Sequence, residues 1–244
     1  MGNDITGYPF PAELVARITA RRGRLHCYDR LDPRRTALVV VDMQTAFLKE
    51  GWPTALDPAR DVVPAINRLA DSVRRTGGKI IWVVSTYGPD EADRWQVLFD
   101  HVMGPETGGH FRDVLTEGHE GHAIWPLLDF RPGEAIVSKN RFSGFCGSKG
   151  RLERLLRDNG LDTLLIAGTV TNVCCESTAR EAAFLDFKTI MVSDANAART
   201  DLDNLVTYST FIRAFGDVMS SAEAIARLDE GAARIPEGLA AKGA

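Results

Sequence analysis

Five short apolar runs, rich in β-branched residues, alternate along the chain with amphipathic stretches of helical spacing. The runs cover residues 36–42, 79–86, 134–139, 162–168 and 188–194. Their hydrophobicity is continuous rather than alternating, which is typical of strands that are buried on both faces of a sheet. Strands that alternate with helices form parallel, doubly wound sheets. We therefore predict an α/β fold with such a sheet, and a short sixth strand at 216–220.

The helical stretches have recognisable ends. Helices are predicted over 58–78 with Pro58 at its start, 148–160 with Ser148 as its N-cap, 175–187, 201–216 and 220–231. A further helix is expected within 5–23. Because no linker or low-complexity stretch divides the sequence, we predict an N-terminal extension over 1–34 and a single domain over 35–244.

Charge and composition exclude several classes of partner. The 244 residues carry a formal net charge of −4, with acids and bases mixed along the chain, which argues against nucleic-acid binding. No segment approaches the roughly 18 to 20 apolar residues that span a bilayer, so we expect no membrane partner and a cytoplasmic protein. The four cysteines are too few and too unevenly spaced for a disulfide framework, so free thiols are expected.

The stretch 87–130 interrupts the alternation of strands and helices. It contains His101, His110, His119 and His122, which raises the question of a metal site. No pair of these residues has the spacing of metal ligands, so solvated loop histidines are the better interpretation. Long insertions of this kind commonly shape the ligand site of a parallel sheet.

An acid, a base and a thiol follow three of the predicted strands. Asp42 ends the first strand, Lys139 ends the third, and Cys174 comes shortly after the fourth. Ligands bind at the carboxyl ends of parallel strands, so the three side chains are expected to converge. A helix N-terminus and the Lys139 ammonium would favour the nucleophilic thiolate. Asp42 can take the thiol proton, deliver it to a departing amine and then activate water against the thioester.

Helical periodicity separates the two adjacent cysteines. Ala179, Ala182 and Ala183 lie four, seven and eight residues after Cys175, and they form the stripe that would pack on the sheet. Cys175 is therefore expected in the core. Cys174 is turned about 100° away on a 3.6-residue helix and is expected on the exposed first turn.

Three segments that contain these residues resemble the isochorismatase-like cysteine hydrolase superfamily. They are ALVVVDMQTAFL, VSKNRFSGF and GTVTNVCCESTAREAAFLDF, and the resemblance runs from about residue 34 to 230. It implies a three-layer α/β/α sandwich with a six-stranded, mainly parallel sheet, a hydrolase domain over 35–244, and a homo-oligomer, either a dimer or a homotetramer. It also implies a catalytic triad with Cys174 as the nucleophile, Asp42 as the proton carrier and Lys139 as the group that orients Asp42.

The resemblance extends to the surroundings of the triad. It implies a non-proline cis peptide bond at Thr169–Val170 and an oxyanion hole formed by the backbone N–H groups of Val170 and Cys174. Residues expected at the substrate are Gln44, Phe47, Tyr87, Arg141, Phe142, Thr171 and Arg199. Arg199 matches the arginine of N-carbamoylsarcosine amidohydrolases that holds the substrate carboxylate, 25 residues after the nucleophile. A surface arginine that follows a strand is the alternative.

Departures from the family pattern narrow the function. Isochorismatases proper lack a cysteine at the position of Cys174, and the D-x-H metal motif of nicotinamidases is absent from VVSTYGPDEADRW. The resemblance therefore favours an amidohydrolase without metal or cofactor that acts on a small molecule with a linear amide. We expect it to cleave the C–N bond of a ureido or carbamoyl compound of the ureidoacrylate, biuret or triuret type through a thioester, releasing ammonia or an amine. An N-carbamoylsarcosine-type or other small-amide amidase, for maleamate or nicotinamide, is the alternative.

Two other classes of function stay open at this point. The fold also hosts proteins that bind without catalysis, although the complete set of Asp42, Lys139 and Cys174 argues against this. A redox sensor that uses Cys174 and Cys175 as a vicinal pair is awkward, because the two side chains diverge on a helix.

Overall fold

The computed structural model describes residues 10–88 and 94–235, and these residues form one sheet of six strands. The strands are β1 (Thr36–Val41), β2 (Lys79–Ser85), β3 (Ala135–Lys139), β4 (Thr163–Thr169), β5 (Lys188–Ala197) and β6 (Asp217–Met219). Their order is β3-β2-β1-β4-β5-β6, and every neighbouring pair is parallel. The predicted doubly wound α/β fold is confirmed, with a sheet that is entirely parallel. The order reverses between β1 and β4, where sheets of this kind bind ligands.

Helices cover both faces of the sheet. They are α1 (Ala12–Arg22), α2 (Thr45–Leu48), α3 (Val63–Thr76), α4 (Pro105–Val114), α5 (Gly144–Gly147), α6 (Arg151–Asp158), α7 (Glu176–Phe184), α8 (Asp201–Ala214) and α9 (Ser221–Ala233). Helices α3 and α9 pack on the face that carries Leu38 and Val40, and α6, α7 and α8 pack on the face that carries Val39 and Val41. This arrangement is the predicted three-layer sandwich. In the described part of the chain, no helix has the length and apolar character needed to cross a bilayer.

The predicted start of the helix after β3 is wrong. Helix α6 begins at Arg151 rather than after Ser148, because Lys149 and Gly150 both have left-handed backbone, with φ of 54° and 77°. The N-cap is Gly150, so the predicted N-cap at Ser148 is wrong as well. The Ser148 hydroxyl still accepts a hydrogen bond from the N–H of Leu152 in the first turn of the helix, at 3.1 Å.

The extension and the insertion are partly helical. Of the helix predicted within 5–23, α1 covers Ala12–Arg22, while residues 5–9 lie outside the described residues. The insertion holds a π-helical turn at Val97–Val102 and the helix α4, and its residues 89–93 also lie outside the described residues. Helix α3 begins later than predicted, because the chain from Asp57 to Ala59 forms a separate 3₁₀ turn.

Gly168 allows the two central strands to approach each other closely. Its φ is +124°, a conformation that L side chains rarely adopt, and a Cβ atom on it would lie 2.0 Å from the carbonyl oxygen of Val41. Val41 directly precedes Asp42, and Gly168 leads into the turn that carries Cys174. This close contact therefore sets the distance between the two halves of the site.

We expect Gly168→Ala to destabilise the fold by at least about 3 kcal/mol, because the new methyl group meets backbone atoms and the φ angle is unfavourable. Gly109→Ala is the matched control, since Gly109 lies within α4 with open space around its Cα. That change should stabilise the fold by about 0.5 to 1 kcal/mol. Urea denaturation of both variants measures the effects. A urea denaturation midpoint of Gly168→Ala equal to that of the wild type would contradict the close approach of Gly168 to Val41.

The end of the N-terminal extension is held by one buried carboxylate. Asp217 at the start of β6 accepts hydrogen bonds from the N–H groups of Cys27 at 2.8 Å and Tyr28 at 3.0 Å. Its other oxygen lies 2.9 Å from Nδ1 of His26, whose Nε2 is 3.4 Å from Glu223 on α9. The extension is therefore attached to β6 and α9 through charged groups.

Stability is expected to fall as the pH rises from about 6.5 to about 9, because His26 is protonated in the folded protein. Burial lowers the pKa of His26, but the carboxylates of Asp217 and Glu223 outweigh burial and raise the pKa to about 9. Because the pKa of His26 is higher in the folded protein than the value near 6.5 of the unfolded chain, protonation of His26 stabilises the fold fully below pH 6.5. This stabilisation is lost as the pH rises through about 9. Thermal and urea unfolding between pH 6 and 10 should show a loss of about 1 to 3 kcal/mol. His26→Gln should remove most of this loss, whereas a change at the exposed His110 should leave it in place.

Candidate active site

Four polar side chains meet in the core at the carboxyl ends of the strands. Asp42 follows β1, Ser85 ends β2, Lys139 ends β3, and Cys174 lies in a π-helical turn, Thr171–Cys175, that follows β4. Nζ of Lys139 is 2.8 Å from Oδ2 of Asp42, 2.8 Å from Oγ of Ser85 and 3.6 Å from Sγ of Cys174. The three residues predicted to converge are therefore brought together, with Ser85 as an unpredicted fourth.

The backbone of Asp42 is unusual. Its φ is 54°, in the left-handed region that few residues other than glycine adopt, although Asp tolerates it better than most. The Asp42 N–H remains tied to the sheet through a 2.8 Å hydrogen bond to the carbonyl of Val83. The turn ends β1 abruptly and leaves the Asp42 carboxylate buried beside β2 and β3. Such outliers persist where the surrounding structure holds them, and they cluster at functional sites.

The charges of the site are coupled. Burial opposes the charge of Lys139, but the neighbouring Asp42 outweighs burial and raises the pKa of the Lys139 ammonium. Burial also raises the pKa of the Cys174 thiol, and Asp42 raises it further, while Lys139 acts in the opposite direction. The effect of Lys139 on the thiol therefore has the predicted direction, although burial and Asp42 act against it.

The predicted exposure of Cys174 is wrong. Cys174 is 8% exposed, and Thr178 on the same side of the helix is fully buried. The segment after β3 covers this side, since the hydroxyl of Thr178 accepts a hydrogen bond from the N–H of Gly144 at 3.0 Å and donates one to the carbonyl of Cys174 at 2.7 Å. Glu181 accepts a further one from the N–H of Cys146. Periodicity within one helix could not reveal this cover.

The predicted burial of Cys175 is confirmed. Cys175 is fully buried, together with Ala179 and Ala182, against the sheet. All four cysteines are free thiols. Burial raises the pKa of the Cys175 thiol well above its ordinary value.

The turn between β4 and Cys174 has the predicted backbone. The Thr169–Val170 peptide bond is cis. The carbonyl of Val170 accepts hydrogen bonds from the N–H groups of Val173 and Cys175. The role of the Val170 N–H in an oxyanion hole with the N–H of Cys174 stays a prediction.

Gln44 is fully buried beneath the site. Its Oε1 accepts the N–H of Ser85 at 2.8 Å, and its Nε2 donates to the carbonyls of Ser85 at 3.0 Å and His122 at 2.8 Å. Both N–H donors of the Gln44 amide and one of the two lone pairs of its oxygen are therefore engaged in hydrogen bonds. The geometry favours a positioning role for Gln44 over the predicted substrate contact.

Comparison with known proteins identifies the family. A family model described as the isochorismatase domain matches residues 36–223, which is well over half of the chain. The chain belongs to the isochorismatase family. It is 31% identical over 180 residues to the ureidoacrylate amidohydrolase RutB of Agrobacterium fabrum, covering 68% of this chain and 77% of that protein. The RutB of Rhizobium rhizogenes is equally similar, over 71% of its length.

Solved structures of isochorismatase-like proteins share the fold. A cysteine hydrolase from Pseudomonas syringae pv. phaseolicola matches with a TM-score of 0.75 and 28% identity, covering 82% of this chain and 95% of that one. N-carbamoylsarcosine amidase from Thermoplasma acidophilum matches with a TM-score of 0.61 and 28% identity, over 77% and 96% of the two chains. Together with the curated relatives, these matches confirm the predicted hydrolase of carbon–nitrogen bonds in linear amides.

Aromatic side chains surround the site of this family member. Tyr87 is buried with its ring 5.1 Å from that of Phe99, and Phe47 is buried with its ring 6.0 Å from that of Phe111. Burial raises the pKa of the Tyr87 hydroxyl, so it stays protonated. These contacts place Phe47 and Tyr87 in an apolar wall, and their predicted contact with substrate stays a prediction.

Arg141 and Phe142 flank Trp95 of the insertion. The rings of Phe142 and Trp95 are 4.6 Å apart, and the guanidinium of Arg141 lies 5.3 Å from the centre of the Trp95 ring. Both residues are half-buried. Sequence reasoning singled out Arg141 and Phe142 but missed Trp95, which is distant in sequence and carries no motif.

Thr171 and Arg199 lie on the other side of the site. Thr171 is buried, and within the described residues its hydroxyl has no hydrogen-bond partner. Arg199 is exposed two residues beyond Ala197, which pairs with Thr169 at the end of the sheet. The register therefore brings Arg199 to the edge of the sheet that carries the site, and its contact with a substrate stays a prediction.

The histidines of the insertion are dispersed. Nε2 of His122 is 2.7 Å from the hydroxyl of Thr86, and Nδ1 of His119 accepts the N–H of Gly121. His101 and His110 are exposed. Across residues 10–88 and 94–235, no group of three or more His, Cys, Asp or Glu side chains is placed to hold a metal ion.

Proposed function

We propose that the chain is a metal-independent cysteine amidohydrolase that cleaves the C–N bond of a small ureido or carbamoyl compound through a covalent thioester. The observation that carries the proposal is the buried contact of Lys139 with both Asp42 and Cys174, at 2.8 Å and 3.6 Å. This contact joins a nucleophile, a proton acceptor and a fixed positive charge. The similarity to ureidoacrylate amidohydrolases supports a ureido substrate.

The first half of the reaction forms the thioester. Asp42 takes the proton of the Cys174 thiol as Sγ bonds to the substrate carbonyl carbon, which becomes tetrahedral. The N–H groups of Val170 and Cys174 donate to the oxyanion. Asp42 then passes its proton to the nitrogen of the C–N bond, and that bond breaks. Ammonia or an amine leaves, and the acyl group stays on Cys174.

The second half regenerates the thiol. Asp42, again a carboxylate, takes a proton from a water molecule as the water oxygen attacks the thioester carbonyl. The tetrahedral intermediate collapses, the C–S bond breaks, and Asp42 returns the proton to the sulfur. Lys139 stays charged throughout and neutralises whichever of Asp42 and Cys174 is negative.

A second candidate is an N-carbamoylsarcosine-type amidase. It is favoured by the structural likeness to N-carbamoylsarcosine amidase and by Arg199, which lies at the edge of the sheet that carries the site. An arginine at this place can hold a substrate carboxylate through a bidentate pair. The two candidates share the same chemistry at Cys174 and differ in the group attached to the scissile bond.

An ammonia-release assay over ureidoacrylate, biuret, triuret, N-carbamoylsarcosine, maleamate and nicotinamide tests the proposal. We expect the largest kcat/KM for one of the first three compounds. A preference for N-carbamoylsarcosine supports the second candidate, and hydrolysis of maleamate or nicotinamide alone contradicts both. The Cys174→Ala variant provides the blank.

Prolonged treatment with EDTA should leave the rate unchanged, because every step above uses protein groups alone. The check is the same assay before and after dialysis against chelator, with metal analysis of the protein. Loss of activity that zinc or iron restores would contradict a metal-independent reaction and would direct attention to the histidines of the insertion.

A further inference from the structure

We propose that Ser85 is a positioning residue that fixes the Asp42 carboxylate and the Lys139 ammonium for proton transfer with Cys174. Ser85 is 2% exposed at the end of β2, between β1 and β3. Its Oγ lies 2.8 Å from Nζ of Lys139 and 2.9 Å from Oδ1 of Asp42. This inference rests on the proposed function for its kinetic readout, but it has a second readout on the thiol itself.

The direction of each hydrogen bond follows from the chemistry of the groups. A lysine ammonium has three donors and no acceptor, and its three partners here are Asp42, Ser85 and Cys174. Ser85 therefore accepts from Lys139 and must donate its own proton to Asp42. Ser85 thus binds Oδ1 of Asp42, and Lys139 binds Oδ2. Removal of the hydroxyl takes one acceptor from Lys139 and one donor from Asp42.

Ser85 is itself held in place. Gln44 binds both its N–H and its carbonyl, so the last residue of β2 is clamped through its backbone. In parallel register, Ser85 lies opposite Lys139 on β3, which brings the two side chains to the same level of the sheet. The hydroxyl therefore keeps one orientation between two charges in a buried site, where such hydrogen bonds are strong.

This role differs from that of the nucleophile or the proton carrier. The Ser85 hydroxyl binds Lys139 and Asp42, and the Tyr87 hydroxyl also lies close enough to interact with it. We therefore expect Ser85→Ala to lower kcat about 10- to 100-fold, as befits loss of a hydrogen bond to charged groups, with little change in KM. Ser85→Thr keeps the hydroxyl and should recover most of the rate.

The pH dependence separates positioning from mere structural support. A hydrogen bond to the charged form of an acid stabilises that form. Without the Ser85 hydroxyl, the acidic limb of the kcat/KM profile should move to higher pH. The acidic limb of Cys174 alkylation by iodoacetamide should move in the same direction, since both reactions depend on transfer of the Cys174 proton to Asp42. Alkylation is followed by mass spectrometry of the Cys174 peptide and needs no substrate.

Ser72→Ala is the matched control. Ser72 is another buried serine, and its hydroxyl has no hydrogen-bond partner within the described residues. It lies near the end of α3, close to the amino end of β2 and away from the site. Ser72→Ala should leave kcat and both pH profiles unchanged.

The outcomes are distinct for the two proposals. If Ser85→Ala keeps the wild-type acidic limb in both measurements, whether or not its rate or stability falls, the positioning role is wrong. If no amide is hydrolysed by the wild type but the alkylation limb still moves in Ser85→Ala, the proposed function fails and the role of Ser85 stands.

Discussion

Replacement of Cys174 by alanine should lower kcat at least about 10⁴-fold, the scale expected when a covalent nucleophile is removed. Cys174 is the thiol that contacts Lys139, and it lies next to the carboxylate that would accept its proton. The fold should survive the change, because alanine fills most of the same space. Ammonia release and thermal unfolding of the purified variant provide the two measurements.

Cys175→Ala is the matched control, because the same change is made one residue further along the chain. Cys175 faces the sheet among Ala179 and Ala182 rather than the site. We expect turnover within a few-fold of the wild type and a loss of stability of about 1 kcal/mol. Equal loss of activity in both variants, with folding intact, would overturn the assignment of the nucleophile.

Asp42→Asn should lower kcat by about 10²- to 10⁴-fold, since the proton carrier is lost. The variant should also lose about 3 to 5 kcal/mol of stability, because Lys139 is then a buried charge without a counter-ion. The ion pair is buried at both ends, with a distance of 2.8 Å. Urea denaturation and the ammonia assay measure the two effects separately.

Two further variants make the stability prediction specific. Asp57 pairs with Arg60 on the surface, so Asp57→Asn should cost less than about 1 kcal/mol. The double variant Asp42→Asn with Lys139→Met should be more stable than Asp42→Asn alone, since the unpaired ammonium is gone. An Asp42→Asn protein as stable and as active as the wild type would contradict both roles of the carboxylate.

The sheet and the convergence of Asp42, Lys139 and Cys174 were predictable because they follow from local signals. Continuous apolar runs mark buried parallel strands, and a doubly wound topology brings the carboxyl ends of β1, β3 and β4 to one edge. The chemistry of a thiol, a carboxylate and an ammonium predicts their roles, and the resemblance to a family implies the same assignment. The cis bond at Thr169–Val170 was expected from the resemblance alone.

The parts that were not predictable depend on contacts between distant segments. Ser85 ends a strand without any motif, and only the parallel register with Lys139 reveals its place between two charges. The burial of Cys174 depends on the segment after β3, which donates to Thr178. The contact of Trp95 in the insertion with Phe142 after β3 also joins two segments that are distant in sequence.

Covalent catalysis by Cys174 is tested most directly by trapping the acyl-enzyme. A substrate found in the ammonia assay is mixed with the enzyme, the reaction is quenched with acid during turnover, and the protein is examined by intact and peptide mass spectrometry. We expect a mass increase equal to the acyl group without its leaving amine, with fragment ions that place it on Cys174. Turnover with an acyl adduct on Cys175 or Cys146, or without any adduct even when deacylation is slowed, would contradict the thioester mechanism.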